Sequence, residues 1–348
     1  MPCAEPALPR VSHRLPRACA NACLTLCMAL CMALCLAVCL GGCAPSFSLF
    51  GATAPPYQEQ TLRGEGEGKI LLVSVDGLIS EHPREGLLRT RPSVLEEVAA
   101  QLKLARKDKS IKALLLKVDS PGGTTTASDI LYHELETYRA ETGVKVVTIM
   151  MGLAASGGYY VALPSDHIAA HPTTVTGSVG VIFLQPRVAG LLEKIGVGVD
   201  VSKSGAQKDM GSPFRQPTPE ETRLIDAMVQ AQAKRFLELV QKHRKLDPAA
   251  QTIAASARVF TAEEAKDLGL IDSVGYMDDA VAKAASLAGL PQDARVVSYR
   301  RKPGTDVTWY QASAEAGEQR PALVHLGLES LLPPQSGLYY LWTPGLTQ

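Results

Sequence analysis

Short runs of aliphatic and β-branched residues alternate with stretches of helical periodicity through the middle of the chain. The predicted elements follow in the order strand 70–75, helix 93–106, strand 113–118, helix 127–139 and strand 145–150. Strands that alternate with helices are typical of a mostly parallel sheet with helices packed on it. The pattern therefore predicts an α/β domain, to which we assign residues 69–290.

The second half of this domain contains a long amphipathic helix, predicted over residues 219–245. One helical face of this segment carries Ile225, Val229, Phe236 and Val240. Thr218 precedes the helix as a plausible N-cap, and acidic residues follow in the first turn, where the helix dipole favours them. Shorter elements fill the rest: a helix near 155, strands at 168–170 and 178–182, and a helix at 188–195.

The N-terminal segment has the pattern of an export signal, assigned to residues 1–43. Three arginines precede an uncharged apolar stretch that ends in the sequence Leu-Gly-Gly-Cys at residues 40–43. The small residues before Cys43 resemble a bacterial lipobox, in which this cysteine is lipidated and becomes the mature N-terminus. The alternative is an uncleaved transmembrane helix, because about 20 apolar residues can span a bilayer. In both interpretations the predicted domain of residues 69–290 is attached to a membrane of the bacterial cell envelope and lies on its exported side.

Two further segments flank the domain. Residues 44–68 contain a Pro-Pro pair and alternating Gly and Glu with little apolar periodicity, which predicts a flexible tether. Residues 291–348 are expected to form a C-terminal tail, to which the sequence assigns no role.

The composition excludes several classes of protein. The formal net charge is zero and no basic cluster is interleaved with aromatic residues, which argues against nucleic-acid binding. All eight cysteines lie at or before position 43, so the body has neither a disulfide framework nor a cysteine-bound zinc site. No metal and no cofactor is expected.

Candidate chemistry lies just beyond two of the predicted strands. The sequence Asp-Ser-Pro-Gly-Gly at residues 119–123 follows strand 113–118, and Ala-Ala-Ser-Gly-Gly-Tyr-Tyr at residues 154–160 follows strand 145–150. Ligand sites of α/β sheets collect at this strand end. A serine flanked by small residues, Ser156, can expose its hydroxyl there, and the N–H of Gly157 at the helix start can help to hold an oxyanion.

A serine nucleophile needs a base, and the sequence offers two kinds. Lys208 lies in the polar segment 203–213, and a desolvated lysine can serve as a base. His171 is the rival, since it follows the Ser156 helix on the next strand, and His167 is a weaker one. For both histidines an ordinary hydrogen bond is the simpler interpretation.

At these segments the sequence resembles the signal peptide peptidase A family, serine peptidases of the ClpP and crotonase superfamily. The resemblance covers residues 70–285 and includes the Ser-Pro-Gly-Gly turn, the Ser156 segment, Thr-Gly-Ser-Val-Gly-Val at 176–181, Ser-Gly-Ala-Gln-Lys-Asp at 204–209 and Gly-Leu-Ile-Asp at 269–272. It implies a ClpP/crotonase-like fold of repeated β-β-α units.

The resemblance also implies the roles of individual residues. Ser156 matches the nucleophile and Lys208 the general base, while the N–H groups of Gly123 and Gly157 match the oxyanion hole. The expected substrates are remnant signal peptides or membrane-associated polypeptides. A single catalytic domain resembles the short form of the family, whose members assemble into membrane-facing homo-oligomeric rings, octamers, that share the dyad between neighbours.

Two other classes compete with a peptidase. A crotonase-like acyl-CoA enzyme would share the fold and the oxyanion hole, but it would need neither a serine at 156 nor an export signal. A non-catalytic membrane scaffold could keep the fold after losing catalysis. The presence of both Ser156 and Lys208 argues against the scaffold.

Overall fold

A computed structural model describes residues 55–85, 90–301, 309 and 337–342. The predicted signal segment and Cys43 lie outside these residues. The strands are β1 Gln58–Arg63, β2 Gly66–Asp76, β3 Arg84–Glu85, β4 Thr90–Arg91, β5 Ile111–Ser120, β6 Gly122–Thr124, β7 Lys145–Ala155, β8 His167–Ala170, β9 Val175–Gly177, β10 Ile182–Leu184, β11 Val259–Thr261, β12 Ser273–Val274, β13 Ala294–Arg300 and β14 Gly337–Leu341. The helices are α1 Val94–Ala105, α2 Thr125–Thr142, α3 Gly157–Ala162, α4 Ala189–Lys194, α5 Pro219–Arg244, α6 Pro248–Ala255, α7 Ala262–Asp267 and α8 Met277–Ala288.

A mostly parallel sheet of nine strands forms the centre of the domain. Its main path runs in the order β1-β13-β2-β5-β7-β8-β12, and β9 and β11 extend it from the end of β7. The pairs β13/β2, β2/β5, β5/β7 and β7/β8 are all parallel. The predicted α/β class with a mostly parallel sheet is confirmed.

The sheet is buried on both faces, because successive side chains of a strand point to opposite sides. Leu71 and Val73 of β2 join the larger apolar cluster, which includes residues of α1, α2 and α5. Ile70 and Leu72, on the alternate positions, join a second cluster with the alanine-rich face of α8. The continuous apolar runs noted in the sequence are thus typical of parallel strands covered by helices.

The long helix α5 begins as the sequence predicts. The side chain of Thr218 accepts from the N–H of Glu221, and the Glu221 carboxylate accepts in return from the N–H of Thr218. This reciprocal capping box satisfies two N–H groups that the helix leaves without an internal partner. Phe236 and Val240 lie on the buried face.

The structure corrects both boundaries of the predicted domain. Residues 58–68, expected to belong to a flexible tether, form β1 and the start of β2. Residues 294–300, expected to lie in the tail, form β13 between β1 and β2. The sequence signal was weak because β1 is short, largely polar and at the sheet edge, so its strand structure depends on pairing with β13.

A second, smaller sheet lies outside the central one. It has three antiparallel strands in the order β10-β14-β6, and its middle strand comes from the C-terminal residues 337–341. The sequence of this part of the tail predicts no role for it. Among the described residues, no helix is both long and apolar enough to cross a membrane.

Candidate active site

The two glycine-containing segments meet because the strands that precede them are neighbours in the sheet. Strand β5 ends at Ser120 and β7 ends at Ala155, and the parallel register places Ser120 opposite Ala154. Parallel strands end on the same edge of a sheet. The turn at 121–123 and the serine at 156 therefore lie side by side.

The turn after β5 is held by the hydroxyl of Ser120, which is fully buried. Its Oγ donates to the carbonyl of Gly77 at 2.6 Å and accepts from the N–H of Gly122 at 3.0 Å. The carboxylate of Asp119 accepts from the N–H of Leu153 at 3.0 Å, which ties the turn to β7. These contacts fix the path of the backbone that leads to Gly123.

The two glycines of the turn are required by geometry. Gly122 has a φ of +99°, a region that side chains rarely adopt. A Cβ on Gly123 would lie 1.7 Å from the carbonyl oxygen of Ile79, whose backbone pairs with the turn. Only glycine lets the backbone come this close, so the N–H of residue 123 is held in a fixed position.

Ser156 lies at the junction of β7 and α3 with a backbone that is unusual for serine. Its φ is 53° and its ψ is −114°, and 1% of the residue is exposed. The N–H donates to the carbonyl of Gly177 at 2.8 Å, and Oγ contacts the carbonyl of Gly180 at 3.5 Å. A conformation of this kind costs about 1–3 kcal/mol and occurs mainly at functional sites.

Gly157 begins helix α3 directly beside the turn. A Cβ built on Gly122 would lie 2.6 Å from the Gly157 nitrogen, and one built on Gly157 would lie 3.0 Å from the Gly122 Cα. The structure thus brings together three of the predicted residues, Gly123, Ser156 and Gly157. Backbone N–H groups beside a nucleophile can stabilise the oxyanion of an acyl-transfer reaction.

Lys208 is not in contact with Ser156 within this one chain. It lies exposed in the loop between α4 and α5, and its own N–H donates to the carbonyl of Gly205 at 3.1 Å. Among the described residues, no hydrogen bond or ion pair joins its side chain to the serine. The predicted nucleophile and the predicted base thus belong to separate parts of the protomer.

The loop that carries Lys208 is anchored by an ion-pair network one residue further on. Asp209 accepts from Lys203 at 2.7 Å and from Arg215 at 2.8 Å, and Arg215 also pairs with the buried Glu221 at the start of α5. The hydrogen bonds from Arg215 and Lys203 hold the pKa of Asp209 well below its usual range. Arg215 lowers the pKa of Glu221 to about 2. Both carboxylates are therefore charged at neutral pH.

Neither histidine considered as an alternative base contacts Ser156. Nδ1 of His171 pairs with the hydroxyl of Thr173 at 2.9 Å, and its ring packs edge-on against Tyr276. Nε2 of His167 pairs with the hydroxyl of Ser273 at 2.8 Å, and burial lowers its pKa. Both make the local hydrogen bonds expected of histidines with a structural role.

Three contributors to the site were not singled out from the sequence. These are the hydroxyl of Ser120, the carboxylate of Asp119 and the carbonyl of Gly180. The first two belong to a segment that was singled out for its glycines alone. A serine two residues before a glycine, as Ser120 is before Gly122, is typical of a turn stabilised by the serine side chain. No side-chain pattern in the sequence identifies a backbone carbonyl such as that of Gly180 as an acceptor.

Comparison with known proteins identifies related chains. Residues 139–291 match peptidase family S49, and residues 89–174 match the Clp protease family. A protein of Enterococcus faecium named for signal peptide peptidase SppA is 36% identical over 256 residues, which are 73% of each chain. Protease 4 of Salmonella typhi is 41% identical over 197 residues, 57% of this chain and 32% of that protein. The chloroplastic serine protease SPPA of Arabidopsis thaliana is 33% identical over 234 residues, 66% of this chain and 34% of that protein.

The parallel α/β domain and these relatives together define a serine peptidase that hydrolyses peptide bonds. The chain belongs to the signal peptide peptidase A family, peptidase family S49. It spans about a third of the length of the Protease 4 and chloroplast relatives.

The backbone strain at Ser156 predicts an unusual effect of glycine on stability. Ser156→Gly should be more stable than Ser156→Ala by about 1 kcal/mol, because glycine adopts this φ without a Cβ clash. Thermal and denaturant unfolding of the two variants measures the difference. The control is the same pair at the exposed Ser286 of α8, where glycine should instead be the less stable variant by about 1 kcal/mol. An alanine variant at 156 as stable as the glycine one would contradict a strained serine.

Proposed function

We propose that Ser156 and Lys208 form a Ser/Lys dyad of a membrane-anchored endopeptidase that acts on remnant signal peptides or membrane-associated polypeptides. The observation that carries the nucleophile is the strained, buried backbone of Ser156 at the start of the helix that Gly157 begins, where Gly157 lies against the glycine turn of residues 122 and 123. The names of the relatives support the substrate class.

In the proposed mechanism Oγ of Ser156 attacks the carbonyl carbon of the substrate and its proton passes to the neutral amine of Lys208. The N–H groups of Gly123 and Gly157 stabilise the oxyanion of the tetrahedral intermediate. The intermediate collapses to an acyl-enzyme, and Lys208 returns the proton to the leaving amine. Water activated by Lys208 then hydrolyses the ester.

We further propose that the lysine is supplied by a neighbouring protomer of a homo-oligomeric ring, as an octamer would allow. Lys208 is exposed in its own chain, and its loop is held by the network of Asp209, Arg215 and Glu221 rather than by Ser156. A rigid, exposed loop suits a contact between subunits. Burial at such a contact would favour the neutral form of the amine that a base requires.

The dyad predicts which base substitutions are tolerated. Lys208→Ala and Lys208→Arg should each lower kcat/KM by about 10²–10⁴-fold, since a guanidinium cannot release its proton at working pH. His171→Ala should stay within about tenfold of the parent, or about 1.4 kcal/mol in the barrier. The assay is cleavage of a fluorogenic peptide, with Ser156→Ala as the inactive reference and the exposed Lys194→Ala as the matched lysine control. An inactive His171→Ala beside an active Lys208→Ala, both folded, would overturn the assignment.

A shared site predicts complementation between two inactive variants. Ser156→Ala and Lys208→Ala, mixed under conditions of subunit exchange, should regain part of the parental activity, since some sites then combine an intact serine with an intact lysine. Exchange is followed by native mass spectrometry, so that mixed oligomers are verified directly. Mixed oligomers that stay inactive at every ratio would place both groups within one protomer.

The anchoring proposal concerns Cys43, which ends the apolar stretch of the predicted signal. Membrane-extracted protein should begin at Cys43 and carry lipid mass on that residue. Intact and peptide-level mass spectrometry measures both, with Cys43→Ser as the control that remains unprocessed. A chain that retains residues upstream of position 18 would contradict the lipoprotein and leave a transmembrane helix as the anchor.

A further inference from the structure

The chain enters the domain at the edge of the sheet that carries the active site. Strand β1 begins at Gln58, and the register sets this residue opposite Arg300, the last residue of β13. Strand β13 runs parallel to β2, and β2, β5 and β7 are parallel to one another. Parallel strands end at one edge, and Ser156 follows the end of β7. The start of β1 therefore lies at the same edge as the serine.

The proposed anchor is close in sequence to this point. Pro55, the first described residue, comes about 12 positions after Cys43. A chain of this length spans at most about 40 Å when it is fully extended. An uncleaved transmembrane helix that ends near residue 40 would leave a connection of similar length. A surface at this edge that attracts lipid would thus lie within the range of the bilayer.

Three arginines meet at this edge around one carboxylate. Arg84 of β3 donates to the carboxylate of Glu97 at 2.6 Å and to the backbone carbonyl of Asp76 at 3.4 Å. Arg91 and Arg301 lie close enough to Glu97 to act on it through their charges. This group of side chains therefore holds three cations beside a single glutamate.

Glu97 neutralises at most one of the three positive charges. The residue is 8% exposed, and burial raises the pKa of its carboxyl to about 7 although the neighbouring arginines oppose the rise. Only part of the Glu97 population is thus charged near pH 7. The charge of the cluster stays positive, by two units or more.

Two of the arginines are direct neighbours across a strand pair. Arg84 and Arg91 lie opposite each other in the ladder of β3 and β4, where like charges repel. Arg91 is exposed, and in the part of the chain that the structure describes its guanidinium makes no hydrogen bond or ion pair. An anionic group from outside the domain would relieve this repulsion. The planar fork of arginine matches the oxygens of a phosphate.

The third arginine connects the cluster to the start of the domain. Nη1 of Arg301 donates to the carbonyl of Pro55 at 3.0 Å, and its guanidinium lies 4.3 Å from the centre of the Tyr57 ring. The residues that lead toward the proposed anchor thus pack directly on the arginines. Tyrosine is itself enriched where proteins meet the bilayer surface.

An exposed apolar side chain lies on the same loop. Leu78 is 45% exposed and comes two residues after Asp76, whose carbonyl accepts from Arg84. The carboxylate of Glu81 on this loop accepts from the hydroxyl of Thr124 at 2.6 Å, so it is engaged at the turn next to the active site. Exposed arginine together with exposed leucine is typical of surfaces that bind at the bilayer interface.

We propose that this edge carries a docking surface for phospholipids with anionic headgroups, formed by Leu78, Arg84, Arg91 and Arg301. The arginines bind headgroup phosphates, and Leu78 enters the interface below them. Docking turns the strand ends, and with them Ser156, toward the membrane, so that a peptide leaving the bilayer has a short path to the serine. This inference rests on the proposed membrane anchor in the N-terminal segment.

The contact of the loop with lipid is measured on the full chain in nanodiscs. Residues 44–348 contain no cysteine, so Leu78→Cys can carry a nitrobenzoxadiazole dye, with the identically treated parent as background. In discs with phosphatidylglycerol, a lipid spin-labelled near its headgroup should quench this dye at least about threefold more than the same dye at Lys112→Cys. Lys112 is exposed at the start of β5, on the opposite edge of the sheet. Equal quenching at the two positions would overturn the docking surface.

The role of the arginines is tested by the affinity for anionic lipid. Arg91→Gln should weaken the binding of short-chain phosphatidylglycerol to the detergent-extracted chain about fivefold, the usual effect of one basic residue at an anionic surface. Native mass spectrometry measures the Kd. Arg91→Lys, which keeps the charge, should stay within about twofold of the parent, as should Arg223→Gln on the exposed face of α5. Unchanged affinity in Arg91→Gln, or the same affinity of the parent for phosphatidylcholine, would contradict the proposal.

Failure of the anchor has a separate signature. A parent chain that separates from the discs during gel filtration is not held at the membrane, and the docking surface then falls with the anchor. A chain that stays with the discs while the dye at position 78 remains unquenched keeps the anchor and refutes the docking surface alone.

Discussion

The parallel pairing of β5 with β7 is the constraint on which the site depends. The register that sets Ser120 opposite Ala154 places two strand ends, and therefore two glycine-rich segments, at one edge of the sheet. Both strands are buried on both faces, so a slip in their register would move apolar side chains out of packed positions on each side. The packing energy of the core thus fixes the position of the turn that carries Gly123 relative to the backbone of Ser156.

The elements predicted most accurately are those with strong apolar runs, because burial on both faces leaves a continuous pattern. Strands β2, β5 and β7 and helix α5 fall in this group. The positions of Ser156 and Gly157 just beyond such a strand indicate them as site candidates, whereas the role of Gly123 is implied by the family resemblance alone. By contrast, β1 is polar and β13 lies beyond a Pro-containing turn, and their partners are distant in sequence. Long-range pairing of this kind leaves no local signal.

The second sheet was also not predicted from the sequence, because its strands are short and pair over a long sequence distance. Strands β6 and β10 have three residues each, and both pair with a strand that lies more than 150 residues later than β10.

Lys208 presents the opposite case. Its motif is conspicuous in the sequence, yet the side chain of Lys208 is exposed in the described chain. The hydroxyl of Ser156 contacts the carbonyl of Gly180 instead of this lysine. A sequence motif indicates the chemistry of a residue, but it does not indicate which other residue that side chain meets in the folded chain.

The left-handed backbone at Ser156 has a consequence for how this family diverges. With Ser156 as the proposed nucleophile, a chain under selection for hydrolysis keeps a side chain at this position despite the conformational cost. Once hydrolysis is no longer selected, mutation to glycine removes the cost and keeps the fold, so drift should favour that replacement over alanine. A glycine at the equivalent position of a homologue would then mark a lineage that has abandoned catalysis while retaining a stable domain.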